Sequence, residues 1–226
     1  MNNMGKFGNT HEEYINKDGV EVPSVTTILK LLNKPTLQKW ANYLGFKRQD
    51  VTKVLEESAH IGTNTHNAIS AYFLKEKFTP DLKYPNELEN IRANLNSFFE
   101  WINNYKVEVS LSEAKFIGKK YGGTVDFYGQ VDNKTTIVDF KTSKDFYPSM
   151  FLQLGAYTNL IEDSGRCVEQ VGILLVNSKK MEFKTLSREE INPFIEVYNE
   201  LADVYHKIYN LDQISKQHKI KPIIET

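Results

Sequence analysis

The sequence holds one cysteine, Cys167, among 226 residues. That excludes an intramolecular disulfide, a cysteine-based zinc site and a cysteine-held iron–sulfur cluster. No apolar run approaches the about 18 residues of a membrane-spanning helix, so no membrane partner is expected. Met1 to His11 lack both the apolar core of a secretory signal and the Arg-rich pattern of a transit segment. The expected location is a reducing cytoplasm. An excess of one charge is missing too, since 28 Lys and Arg meet 29 Asp and Glu for a net charge of −1. A protein that coats nucleic acid by bulk charge is thereby excluded. Any DNA contact must use a local patch, and it should weaken with salt according to the few phosphates it neutralises.

What is there suits a globular α/β protein. Hydrophobic residues make up 40% and aromatics 12%, which argues against disorder. A chain of this length buries roughly 70% of its unfolded surface and needs no staples. We read residues 1–226 as a single domain. Its parts are a mostly helical one over 1–106, an α/β core over 107–210 and a basic, frayed tail over 211–226.

In the helical part, a short hairpin around Lys17-Asp18-Gly19 precedes Ser24, which can cap a helix from Val25. Pro35 opens a second helix with Gly45 as its stop. Asp50 caps a third, Val51 to His60. Gly62-Thr63 is expected to interrupt it before a further helix from His66 to Lys77. A loop over 78–85 leads to an amphipathic helix, Asn86 to Tyr105, with Leu88, Ile91, Leu95, Phe98, Phe99 and Ile102 at helical spacing.

From Val107 the pattern turns to strands. The order is Val107–Ile117, a hairpin, a helix from Phe146 to Asp163, a strand pair at Val168–Asn177 and Lys180–Leu186, and a helix opened by the capping box Ser187 to Glu190. That order gives a mixed central sheet flanked by helices, with an N-terminal helical elaboration.

The hairpin carries the chemistry. Its turn centres on Asp132-Asn133, a pair that tolerates positive φ. That register sets Asp126 directly opposite Asp139, and alternation puts Lys141 on the same face. Val138 and Phe140 face the other way. Opposed carboxylates destabilise a hairpin, and a divalent cation between them removes the penalty. A surface hairpin with a plain Lys–Asp pair is the alternative.

Other candidates stand around it. Glu113 shares parity with Val107, Val109, Leu111 and Ile117, so it falls on the expected buried face of its strand; an acid there wants a partner or a metal. Alternatively the apolar face has run out by that point. His66 sits on a small, apolar helix face and reads equally as a satisfied core histidine. Gln153 and Tyr157 share a helix face, either bracing Lys141 or forming an exposed stripe. Ser24, Thr26 and Thr27 could offer hydroxyls to a phosphate or simply cap a helix. Trp40 could stack on a base or pack in the core. Lys119-Lys120, Lys144 and Lys179-Lys180 are a DNA-facing patch if they gather around the hairpin, and solvated charge otherwise.

In order, these pieces are Gly62-Thr63-x-x-His66, Glu113, Gly123-Thr124-Val125-Asp126, Val138-Asp139-Phe140-Lys141-Thr142-Ser143 and Gln153-x-x-x-Tyr157. Together they resemble the PD-(D/E)XK nuclease superfamily in its RecB-like branch. Pro23 to Leu29 and Gln153 to Tyr157 narrow the likeness to the lineage of the mitochondrial genome-maintenance exonuclease and its bacterial and phage relatives. The likeness covers about residues 20–210.

The resemblance implies roles. His66, Asp126, Asp139 and the backbone carbonyl of Phe140 would hold Mg²⁺, with Mn²⁺ as a substitute. Lys141 would orient or activate water. Gln153 and Tyr157 would support the site. Glu113 matches an acid found near the metal in some branches. Thr63, Ser24, Thr26 and Lys144 are candidates for DNA binding or site support. The implied activity is a DNA exonuclease that prefers single-stranded DNA with free ends and serves replication, repair or recombination. A recombination or single-strand-binding protein is a possible partner. Without a transit segment, a bacterial or phage-infected cytoplasm fits. The alternatives are a double-strand exonuclease or structure-specific endonuclease of a phage recombination system, and a catalytically silent DNA-binding accessory module.

Overall fold

The computed structural model describes residues 13–32, 35–177, 181–221 and 223. The chain begins with two short strands, β1 (Tyr14–Ile15) and β2 (Glu21–Val22), paired antiparallel. The Asn16 side chain accepts the amides of Asp18 and Val20 and so holds the turn between them. Four helices follow: α1 (Val25–Leu29), α2 (Pro35–Phe46), α3 (Val51–Leu74) and α4 (Glu87–Asn104). Strands β3 (Val107–Ile117), β4 (Gly122–Val131) and β5 (Lys134–Lys141) come next, then α5 (Pro148–Asp163), β6 (Gln170–Val176), β7 (Met181–Ser187) and α6 (Arg188–Gln217).

The last five strands form one sheet in the order β3-β4-β5-β6-β7. All neighbours are antiparallel except β5 and β6, which are parallel and joined through α5. The mixed sheet with flanking helices is thus the expected architecture. Each face is covered. On one side Ile69 of α3 and Phe98 and Trp101 of α4 pack on Phe127, Val138, Phe140 and Leu174. On the other, α1, α5 and α6 pack Val25, Leu154, Ile161 and Tyr198 on Tyr128, Ile137, Ile173 and Leu175. Coverage on both faces explains why β6 reads as an unbroken apolar run rather than an alternation.

Several expectations change. Gly62-Thr63 does not interrupt a helix, because α3 runs unbroken through it. The Thr63 hydroxyl donates to the Ala59 carbonyl and so stays within the helix. A glycine costs a helix only about 1 kcal/mol, which tertiary packing overrides. The frayed tail is also corrected, since α6 continues to Gln217 and buries Asp212, whose carboxylate accepts the Ile223 amide at 2.7 Å. Helix α2 passes Gly45 by one residue, and α5 starts at Pro148 with Tyr147 as its cap. Ser178, Lys179 and Lys180 lie outside the described residues. The loop ahead of α4 is tied down by the buried Glu87, which accepts the amides of Lys83 and Tyr84 and bonds His60 of α3. Among the described residues no helix is long and apolar enough to cross a membrane.

Candidate active site

The β4–β5 hairpin turns through Asp132 and Asn133, both at positive φ. Its register is the expected one from Val131–Lys134 to Phe127–Val138, where the paired ladder ends. One step on, β5 stays paired to β6 while a side chain takes over on the β4 side: Asp126 Oδ2 accepts the Phe140 amide at 2.8 Å. Asp126 and Asp139 thus lie one step beyond the paired ladder rather than directly opposite within it, both buried and close enough for the Asp126 charge to act on Asp139.

Helix α3 delivers His66 to the same place. Its Nδ1 lies 3.4 Å from Asp126 Oδ2 and 3.9 Å from Glu113 Oε1. Phe140 meets the imidazole edge-on, with ring centroids 6.2 Å apart. Glu113 reaches the cluster by a route the sequence pattern did not give. The β3–β4 register shifts between Val109 and Leu111, and Glu113 itself has φ +49. The alternation in β3 is broken by these two irregularities. Val109 and Ile117 are exposed, Phe116 of the other parity is buried, and the Glu113 side chain is 35% exposed. The expectation that Glu113 lies on a buried strand face is thus corrected. Its backbone conformation is one that a non-glycine residue adopts at a cost, and such residues gather at functional sites.

Lys141 approaches from the end of β5. Its Nζ is 2.7 Å from Asp139 Oδ2, close enough for a strong charge contact. The contact falls outside ideal hydrogen-bond angles, yet it pairs Asp139 Oδ2 with the ammonium. Lys141 Nζ also donates to Gln153 Oε1 at 3.1 Å, and Gln153 Nε2 donates to the Tyr157 hydroxyl at 2.8 Å. Gln153 and Tyr157 are buried, so the exposed-stripe alternative does not hold. A side chain at Gly123 would meet the Tyr157 ring at 2.6 Å, so the strand must carry glycine there for the ring to fit.

Burial and charge pull these groups apart. Burial pushes Asp139 up to about 6, helped by the Asp126 charge and opposed by Lys141. Burial opposes ionisation of Asp126 as well, yet His66, Lys141 and the Phe140 amide hold it below the usual carboxylate range. Burial would lower His66, but the charge and hydrogen bond of Asp126, with Glu113, raise it to about 9. Lys141 is likewise raised, since two carboxylates outweigh its desolvation. Burial and the two aspartates push the Tyr157 phenol well above its ordinary value.

The ligand atoms of His66, Glu113 and Asp126 all lie within 4.8 Å of one another. One imidazole nitrogen and two carboxylates suit a divalent cation. Asp139, paired with Lys141, is a further buried carboxylate whose charge is felt by Asp126 and His66.

Ser24, Thr26 and Thr27 are engaged locally. The Ser24 hydroxyl caps α1 by accepting the Thr27 amide at 3.0 Å, and it hydrogen-bonds to the hydroxyls of Thr26 and Thr27. Lys144 is exposed in the loop after β5, and Trp40 is half-buried in α2. Sequence reasoning missed Asn177, which donates from Nδ2 to the Ser143 carbonyl and accepts from Ser97 on its own carbonyl. It steadies the loop after Lys141, and only the fold brings those residues together.

No family model matches the chain, and no curated protein does. Among solved structures, it is similar to the crystal structure of SSO0001, with 14% identity and a TM-score of 0.31 over 54% of this chain. It spans about three fifths of that chain's length, 61%. It is also similar to LHK-Exo in complex with dAMP, with 11% identity and a TM-score of 0.37 over 71% of this chain and 91% of the other.

Proposed function

We propose that this protein is a metal-dependent deoxyribonuclease of the PD-(D/E)XK type, in the RecB-like branch. We read it as an exonuclease acting on single-stranded DNA with free ends. The observation that carries this is the convergence of His66, Glu113, Asp126, Asp139 and Lys141, from α3, β3, β4 and β5, onto one patch.

Asp126, Asp139, His66 and the Phe140 carbonyl would hold Mg²⁺ or Mn²⁺, with Glu113 beside them. A bound cation there supplies Lewis acidity to the phosphate and lowers the pKa of water. The rest falls to the chain's own groups. Lys141, whose pKa Asp139 and Asp126 raise in the metal-free protein, would orient or activate the attacking water and offset transition-state charge. Gln153, held by Tyr157, fixes the ammonium in place. Water oxygen bonds to phosphorus as the bond to the 3′ oxygen breaks; the water gives up a proton to solvent and the departing 3′ oxygen takes one, leaving a 5′-phosphate and a 3′-hydroxyl.

The test is a cleavage assay on single-stranded, duplex and closed circular DNA, end-labelled where ends exist, with Mg²⁺ and with EDTA. Degradation of the free-ended single strand in Mg²⁺, lost in EDTA, supports the reading. Binding without cleavage of any of the three would sink it in favour of a silent accessory module.

A further inference from the structure

Helix α6 buries one face and leaves another bare. Ile191, Ile195, Tyr198, Ala202 and Tyr205 turn into the core. Val197, Val204 and Leu211 recur at heptad spacing on a different face and are 50%, 45% and 52% exposed. Leu201 and Ile208 fall between them, partly buried, and Leu201 also packs against the core of its own chain, so the seam runs along the edge of that core. Taken along the helix, the steps in this apolar row alternate four and three residues, the spacing of a coiled-coil seam. Single exposed apolar residues are ordinary, but three recurring at heptad spacing with half-buried apolar residues between them form a stripe that a partner helix can cover.

We propose that this seam is the interface with a second copy of the chain, α6 against α6, antiparallel about a two-fold axis near Ala202 and Asp203. In this register Leu201 faces Val204 of the second copy and Val197 faces Ile208, and symmetry repeats each contact. An isologous interface needs such self-complementarity. Charge selects the register. Glu200 and Lys207 are exposed and flank the seam on the side away from the core. The antiparallel register sets Glu200 of each copy against Lys207 of the other. Moving it along to centre between Tyr205 and Lys207 sets Lys207 against Lys207. A parallel pair would set the two charges against the positions of Tyr205 and Asp212, which turn inward. The antiparallel pair thus satisfies both the apolar row and the charges.

The mass of the full chain, measured by sedimentation equilibrium over a concentration series, tests this without reference to DNA cleavage. The expected result is a dimer in the wild type. Val204→Glu, at an exposed seam position, should shift it to monomer while circular dichroism and the thermal midpoint stay close to wild type. Glu200→Lys should weaken the dimer by about tenfold, and the Glu200→Lys/Lys207→Glu double variant should restore it. A wild type that stays monomeric, or a dimer indifferent to Val204→Glu, overturns the interface. Failure of the double variant to restore pairing overturns the antiparallel register.

Discussion

Asp126 Oδ2 accepts the Phe140 amide at 2.8 Å where the β4–β5 ladder ends, so a side chain closes the strand pair. The same oxygen is 3.4 Å from His66 Nδ1. One carboxylate therefore has a structural task and a chemical one, and substitution can separate them. Asp126→Ala leaves the buried amide without an acceptor, at a cost of about 1–3 kcal/mol. Asp126→Asn keeps an acceptor and should cost less, while both variants should lose cleavage. Urea unfolding read beside the cleavage assay checks this. Equal destabilisation by the two substitutions would count against the structural task.

Lys141 is the ammonium between Asp139 and Gln153. Lys141→Ala should cut cleavage by well over about tenfold while leaving DNA binding intact. If the variant keeps more than about a tenth of the rate, the role assigned to this ammonium is wrong. The substitution also strips Asp139 of its cation in a buried place. The carboxyl, already pushed to about 6, should then hold its proton to still higher pH.

What the sequence made legible was local. Asp132-Asn133 announced a turn with positive φ, and the register it set holds from Val131–Lys134 to Phe127–Val138, one step short of Asp126 and Asp139. Ser24, Asp50 and the Ser187–Glu190 box announced helix starts through hydroxyl and carboxylate caps, and all three caps form. What was hidden depends on distant contacts. The continuity of α3 past Gly62 draws on packing against other elements. The path of Glu113 depends on a register slip against β4 and a positive φ, and parity counting sees neither. Trp101, fully buried between α4 and the sheet, stands apart from the leucine and phenylalanine positions that marked the helix. Asn177 has no neighbour in sequence that explains its burial.

The charge on His66 gives a pH signature. In metal-free protein its pKa is about 9, above the unfolded value of 6.5. A raised pKa means a stabilising contribution that is whole below 6.5 and is lost as pH rises through about 9. The imidazole is 26% exposed, so the contribution should be nearer 2 than the roughly 3 kcal/mol of the full shift. Unfolding of wild type and His66→Gln in EDTA should therefore differ at pH 6 and converge above pH 9. A difference that stays constant with pH would remove the His66–Asp126 pair as its source. A cation bound at Nδ1 must displace that proton, so calorimetry in buffers of unlike ionisation enthalpy should register proton release as Mn²⁺ binds.

Two glycines on helices should respond in opposite ways to alanine. At Gly62 of α3 a new methyl would lie 3.5 Å from Thr142 Oγ1, an ordinary contact. Nothing needs to move, and helix propensity favours alanine by about 0.5–1 kcal/mol, so Gly62→Ala should stabilise. At Gly155 of α5 the methyl would meet the Ile195 amide nitrogen at 2.9 Å and the Phe194 carbonyl carbon at 3.0 Å. Those are backbone atoms of α6 and cannot rotate aside. Gly155→Ala should therefore separate α5 from α6 and destabilise by about 1–3 kcal/mol despite the same gain in propensity. Because α5 carries Gln153 and Tyr157, the shift should also loosen the hold on Lys141 and slow cleavage. Thermal unfolding of both variants checks the sign. A stable Gly155→Ala would show that the two helices do not approach each other this closely.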